Sequence, residues 1–204
     1  MAFRAVICDI GGVLEVNPAT GWQERWAARL RVDLADMTEA LAPTWREGSL
    51  GRVSLPEAER RVAAALGLGQ TELAEFMDDM WADYVGTLNA EMTSYFGALR
   101  PRLRTGILSN SFVGAREREN AAYGFEDLCD VVVYSHEEGM EKPDPRFYRI
   151  VASRLGVRPD EAIFLDDRET CVAGARAVGM TAVLFGSTRQ AIADLEHHLA
   201  GSAG

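Results

Sequence analysis

Cysteine is scarce in this chain of 204 residues, and its three copies, Cys8, Cys129 and Cys171, are odd in number and far apart. They indicate neither a disulfide framework nor a zinc site and suit a reducing, cytoplasmic setting. No apolar run approaches the roughly 20 residues of a membrane-spanning helix. Only Arg4 precedes the first apolar segment and no cleavage pattern follows, so no secretory leader is expected. Positive charge is in deficit, with 21 Lys+Arg against 31 Asp+Glu for a net charge of -10. Nucleic acid and anionic membrane are therefore excluded as expected partners, because a phosphate backbone would be repelled. A pocket for a phosphorylated ligand must then carry its own local positive charge, such as a lysine or a divalent metal. Internal repeats and low-complexity segments are also missing.

What is present begins with Phe3-Arg-Ala-Val-Ile-Cys-Asp-Ile-Gly-Gly-Val-Leu14. Ala5 to Cys8 form a short apolar segment with β-branched residues, which predicts a strand buried on both faces and stopped by Gly11-Gly12. Asp9 is thereby delivered to the strand's C-terminal end, where open parallel sheets bind ligands. Two glycines just beyond it leave backbone exposed for the close approach of a phosphate or a metal. A plain turn-capping role for Asp9 is the alternative for this stretch taken alone.

Glu15-Val-Asn-Pro18 reads as a polar hinge, and from there to about residue 88 the periodicity is helical with no convincing strand. Thr20 is placed to cap a helix with Trp22, Trp26 and Leu30 on one face. A second helix is expected from Leu34 through Trp45, a third from the Ser54-Leu-Pro-Glu57 capping pattern to Gly67, and a fourth from Thr71. Their aromatic stripes read foremost as core, with Trp22, Arg25, Trp26, Trp45 and Arg46 as the places to look for specificity. Tyr95 to Leu103 is expected to be a helix returning the chain to the sheet. From Thr105 onward strands alternate with helices: 106–110, 131–134, 162–165 and 181–185 as strands, with helices between and a last one at 188–199. The tail Gly201-Ser-Ala-Gly204 is expected to fray. Alternation of this kind predicts an α/β fold, a doubly wound parallel Rossmann-like sheet with an inserted α-helical unit. The expected division is 1–15 and 90–204 for the core domain and 16–89 for the helical one.

At the predicted strand ends stand Asp9, then Ser109 and Asn110, then Lys142 in a loop, then Asp166 and Asp167. Three carboxylates at one edge raise one another's pKa unless a cation lies between them. An all-oxygen set favours a hard ion such as Mg²⁺. A hydroxyl, backbone amides and a lysine are what a phosphoryl group needs around it, and an aspartate is competent to form an aspartyl-phosphate.

Asp9-Ile-Gly-Gly-Val-Leu, Leu108-Ser-Asn, Lys142-Pro-Asp-Pro and Leu165-Asp-Asp together resemble the four motifs of the haloacid dehalogenase (HAD) superfamily, and the helical insertion resembles that superfamily's type 1 cap. The resemblance implies that Asp9 attacks phosphorus and ligates Mg²⁺, with the Gly11 carbonyl as a second ligand. It implies Asp167 as a direct metal ligand, Asp166 holding it or a bound water from outside, and Lys142 balancing the charge of Asp9 and phosphate. Ser109, Asn110 and the Gly11-Gly12 backbone would bind the phosphoryl oxygens. The implied activity is a Mg²⁺-dependent phosphatase acting on a small phosphorylated metabolite, a sugar phosphate among the options, with monomer and homodimer both open.

One position departs from the family pattern. Most family phosphatases carry a second aspartate two residues after the nucleophile as general acid and base, and here that position is Gly11. Glu15 and Glu47 are the substitutes considered for it, each weighed against a solvated surface carboxylate, as is His136; His197 and His198 read as surface. The departure supports an alternative, a catalytically attenuated HAD-fold binding or regulatory protein. A third alternative, a 2-haloacid dehalogenase, is disfavoured because those family members lack the paired aspartates seen as Asp166-Asp167.

Overall fold

Ala5, Val6, Ile7 and Cys8 are all fully buried, because their side chains alternate between two separate apolar cores on the two faces of one sheet. A computed structural model describes residues 2–201 of the chain. Of the tail expected to fray, 202–204 lie outside the described residues, and Gly201 is the last residue of a helix.

In order, the chain forms β1 (Ala5–Cys8), β2 (Glu15–Val16), α1 (Trp22–Leu30), α2 (Leu34–Ser49), α3 (Leu55–Leu66), α4 (Gln70–Val85), β3 (Thr87–Leu88) and α5 (Ala90–Ala98). It continues through β4 (Arg104–Ser109), α6 (Ala115–Tyr123), α7 (Phe125–Leu128), β5 (Val131–Tyr134), α8 (Ser135–Glu138) and α9 (Pro145–Leu155). It ends with β6 (Ala162–Asp166), α10 (Glu169–Ala177), β7 (Thr181–Leu184) and α11 (Thr188–Gly201).

The main sheet has the order β5-β4-β1-β6-β7 with every pairing parallel. Residues from α9 and α10 bury one face, among them Phe147, Val151 and Val172. Residues from α5 and α11, among them Phe96 and Leu195, bury the other. Covering both faces is what allows the strands to read as continuous apolar runs. With all strands parallel, their C-terminal ends line up on one edge.

Two local start signals act as their residues dictate. The Ser54 side chain accepts from the Glu57 N–H at 3.4 Å ahead of α3, and Asp144 accepts from the Arg146 N–H at 2.9 Å ahead of α9. Three expectations need correction. The helix expected at Tyr95–Leu103 begins at Ala90, because the Asn89 side chain caps it by accepting from the Met92 N–H at 3.3 Å. The hinge region does contain strands: β2 and β3 pair antiparallel in a two-stranded ribbon. The residue before α1 is Gly21, with φ 65°, and Thr20 instead bridges the Trp22 N–H at 3.3 Å and Asp83 at 2.5 Å.

Helices α1 to α4 form an insertion that leaves and rejoins the sheet through the β2–β3 ribbon. Trp22 and Trp26 pack edge-on against Phe76 at 5.2 Å each and make the insertion's own core. Phe112, just past β4, wedges against Trp45 at 5.1 Å and Trp81 at 5.9 Å, so the insertion is seated on the sheet's ligand edge. Asn17 reinforces the seat by donating to the carbonyls of Asp83 (3.0 Å) and Tyr84 (2.6 Å) at the end of α4.

Candidate active site

Asp9 follows β1 directly and its N–H still pairs with the Leu165 carbonyl at 2.9 Å, so its carboxyl is held at the sheet edge. It is 7% exposed, and its Oδ1 accepts from the Ile10 N–H (2.8 Å) and lies 2.8 Å from Lys142 Nζ. Lys142 Nζ also donates to Asp166 Oδ2 at 2.7 Å, which makes it a buried bridge between the ends of two neighbouring strands. The other Asp166 oxygen accepts from the Arg168 N–H at 2.9 Å. Asp166 is therefore fully engaged, while Asp167 is exposed. Asn110 fixes the lysine loop from the other side: its Oδ1 accepts from the Lys142 N–H (2.7 Å) and its Nδ2 donates to the Lys142 carbonyl (3.0 Å).

Gly12 is a position where no other residue fits. Its φ is 74°, and a Cβ there would meet Asp167 Cγ at 2.7 Å. Gly11 is different, since a Cβ there would meet only Asn17 Oδ1, at an ordinary 3.6 Å.

Burial pushes the Asp9 carboxyl above the ordinary range, with Lys142 pulling it back and Asp166 adding to the rise. Burial and then Asp166 also raise Asp167. For Lys142 burial alone would lower the pKa, and the carboxylates of Asp9 and Asp166 more than reverse it, so the ammonium is kept.

Two cavities meet at this edge. The first, of about 480 Å³, lies over Asp9, Gly12, Lys142, Asp167 and Arg168. The second, of about 250 Å³, lies under the end of α4 and is faced by Glu15, Asp83, Tyr84, Ser109 and Glu119. Gly11, Asn17 and Asn110 border both. Of the residues singled out from sequence, Asp9, Gly11, Gly12, Asn110, Lys142 and Asp167 thus come together around one cavity, with Asp166 directly behind. Ser109 faces the other.

Glu15 is not a surface carboxylate. It is 1% exposed, its Oε1 has no hydrogen-bond partner, and burial followed by Glu119 and Asp9 raises its pKa to about 9. Glu119 is equally buried and accepts from the Tyr134 hydroxyl at 2.7 Å. Burial, opposed by that hydrogen bond and aided by Asp9, brings Glu119 to about 7. Glu47 pairs with Arg52 at 3.0 Å, and His136 with the Ser111 hydroxyl at 2.7 Å; neither lines these cavities. Trp22, Arg25, Trp26, Trp45 and Arg46, the places marked for specificity, line neither cavity, and the three tryptophans pack in or against the insertion's core. Arg168 and Asn17 were missed. The first adjoins the aspartate pair, and the second sits in the hinge turn, so adjacency to a motif was the available signal.

A divalent cation fits the donor set. Asp9, Asp166 and Asp167 each offer an oxygen, and these oxygens lie within 4.8 Å of one another. An all-oxygen cluster suits a hard ion such as Mg²⁺. The arrangement can thus hold a phosphoryl group beside one buried carboxylate, Asp9, which is engaged through Oδ1 and whose Oδ2 accepts no hydrogen bond among the described residues. No helix among the described residues is long and apolar enough to cross a membrane.

A family model described as haloacid dehalogenase-like hydrolase matches residues 3–179. Phosphatase MT3486 of Mycobacterium tuberculosis is 30% identical over 94% of this chain and 93% of its own length. The sesquiterpene phosphatase astK of Aspergillus oryzae is 31% identical over 87% of each chain. Among solved structures, the HAD family enzyme bt-2542 of Bacteroides thetaiotaomicron, in complex with magnesium and inorganic phosphate, superposes with a TM-score of 0.74 at 18% identity, covering 90% of this chain and 94% of its own.

Proposed function

This chain belongs to the haloacid dehalogenase-like hydrolases, and from that premise we propose that it is a Mg²⁺-dependent phosphatase of small phosphorylated metabolites, with Asp9 as nucleophile and the helical insertion as a cap over the substrate. The observation that carries the reading is the buried Asp9–Lys142–Asp166 bridge opening onto a cavity that also exposes Asp167. Phosphatase relatives over nearly the whole length support it.

Lys142 and the Ile10 N–H hold Asp9 by Oδ1, which leaves Oδ2 to attack phosphorus. The new bond is Oδ2–P, and the bond from phosphorus to the leaving oxygen breaks. Water then attacks the aspartyl-phosphate and regenerates the carboxylate. The Asn110 amide, the Gly11-Gly12 backbone and Arg168 orient the phosphoryl oxygens, with Ser109 reaching them only from the wall of the neighbouring cavity, and Lys142 offsets the charge gathered beside Asp9. Phosphoryl transfer leaves a protein mostly positioning and electrostatic work, which this set supplies. Asp9, Asp167 and the Gly11 carbonyl would hold Mg²⁺, with Asp166 behind them fixed by Lys142 and the Arg168 N–H. When bound, the ion neutralises charge on the phosphoryl oxygens.

Phosphate release from an aryl phosphate is the test. Turnover is expected with Mg²⁺, is expected to vanish in excess EDTA, and should return when Mg²⁺ is restored. A folded protein inert under all three conditions would favour the attenuated binding protein, with the bare Gly11 as the reason.

The missing acid makes a separate prediction. Aryl leaving groups depart without a proton, whereas alkoxides need one, and a positioned general acid contributes at least about 10²-fold. Gly11→Asp has room for its Cβ. It is expected to raise kcat on an alkyl phosphate by about 10²-fold while leaving aryl phosphate nearly unchanged. Equal gains on both substrates would show that proton supply does not limit this enzyme.

A further inference from the structure

The second cavity lacks the basic residues that accompany Asp9 and Asp167 in the first. Lys142 and Arg168 line the cavity over Asp9, while no lysine or arginine lines the one under α4. Glu15, Asp83 and Glu119 face it instead, two of them at 1% exposure. Glu119 has one partner, the Tyr134 hydroxyl. Glu15 Oε1 has none. A buried acceptor without a donor is costly and is normally satisfied by protein, water or ligand. The two cavities share Gly11, Asn17 and Asn110 in their walls, and the Gly11 backbone is bridged to Glu15, so a substrate seated by its phosphoryl group over Asp9 can reach toward Glu15 along Gly11.

On the phosphatase reading, we propose that this cavity receives the part of the substrate beyond the phosphoryl group and selects a protonated amine there, so that the substrate class is a short aminoalkyl phosphate. An ammonium brings N–H donors to the orphaned Glu15 oxygen, and its positive charge draws Glu15 and Glu119, which burial holds toward their protonated forms, into ionisation; acids are the only charged residues in that lining. A terminal carboxylate or second phosphate meets like charge with no cation to receive it. The substrate is thus read at two poles, its anionic end by Lys142 and its cationic end by Glu15 and Glu119. Hydrolysis breaks the bond between phosphorus and the ester oxygen, adds water across it, and releases inorganic phosphate and an amino alcohol.

Three phosphates with the same two-carbon chain and different termini make the test: 2-aminoethyl phosphate, 2-hydroxyethyl phosphate and phosphoglycolate, with Mg²⁺ and an aryl phosphate as reference. The expected kcat/KM falls by about tenfold or more from amine to hydroxyl and again from hydroxyl to carboxylate, the size of one well-placed charge contact. Glu15→Gln and Glu119→Gln are each expected to compress the amine-to-hydroxyl ratio, mainly through KM for the amine. A flat or reversed order in protein that hydrolyses the aryl phosphate overturns the proposal. If the aryl phosphate is not hydrolysed, the phosphatase reading itself fails. Calorimetric binding of the same three compounds then decides, the same ranking upholding the selectivity and equal affinities overturning it.

Discussion

Asp9→Asn is expected to give a folded protein whose phosphate release falls by about 10⁴-fold or more, the scale on which loss of a nucleophile is felt. The same substitution separates activity from stability. Burial raises the folded-state pKa of Asp9 above its unfolded value. The stability this group contributes is therefore fully present below the unfolded pKa, about 3.9, and is lost as pH rises through the folded value. The asparagine variant has no proton to lose at that site. Without metal, its stability relative to wild type should rise between pH 5 and pH 8. The Lys142 contact is sacrificed at every pH, so the slope is the readout and not the offset. Urea unfolding in EDTA at the two pH values measures it, and a relative stability of the variant that stays flat or falls toward pH 8 would mean that Lys142 fully offsets the burial of Asp9.

Lys142→Met is expected to show the converse. The ammonium is 3% exposed and touches two carboxylates, at 2.8 and 2.7 Å. Removing one partner of a buried ion network costs about 3–5 kcal/mol, because the charges left behind have neither water nor a counter-ion. For a chain of this size that lowers Tm by about 10 °C. At pH 5 the stranded carboxyls take up protons more readily, so the deficit should be smaller there than at pH 8. A loss under about 1 kcal/mol at pH 8, the worth of an exposed pair, would show that water reaches Asp9 and Asp166.

The core of the fold was readable because its signals are local. A short apolar run, a carboxylate and two glycines predict a buried strand and its end, and parallel strands must bring those ends to one edge. That logic located Asp9, Lys142, Asp166 and Asp167 without any contact being known. The β2–β3 ribbon was not readable, since two residues on each side carry no period. Nor was the start of α5, where the Asn89 cap outweighed the apolar pattern that begins at Tyr95. Glu119 was hidden in Arg-Glu-Arg-Glu-Asn, a run that reads as a solvated helix face. Only the packing of α6 against Tyr134 places its carboxyl inside. The tryptophans of the insertion misled in the opposite sense, because a stripe at helical spacing looks the same whether it lines a pocket or fills a core.

The ribbon that sequence could not reveal has an evolutionary consequence. The chain departs for the insertion at Val16 and comes back at Thr87, and these two residues are paired neighbours. Entrance and exit thus coincide at one doorway. Closing a longer excursion between such near ends costs little, since loop entropy grows only with the logarithm of length. The insertion is in effect an exchangeable cassette, free to be lengthened, shortened or replaced while the register of the five-stranded sheet stays untouched. In such an architecture a swapped cassette exchanges Asp83 and Tyr84 in the second cavity's wall, while Glu15, Glu119 and the catalytic edge beneath stay in place.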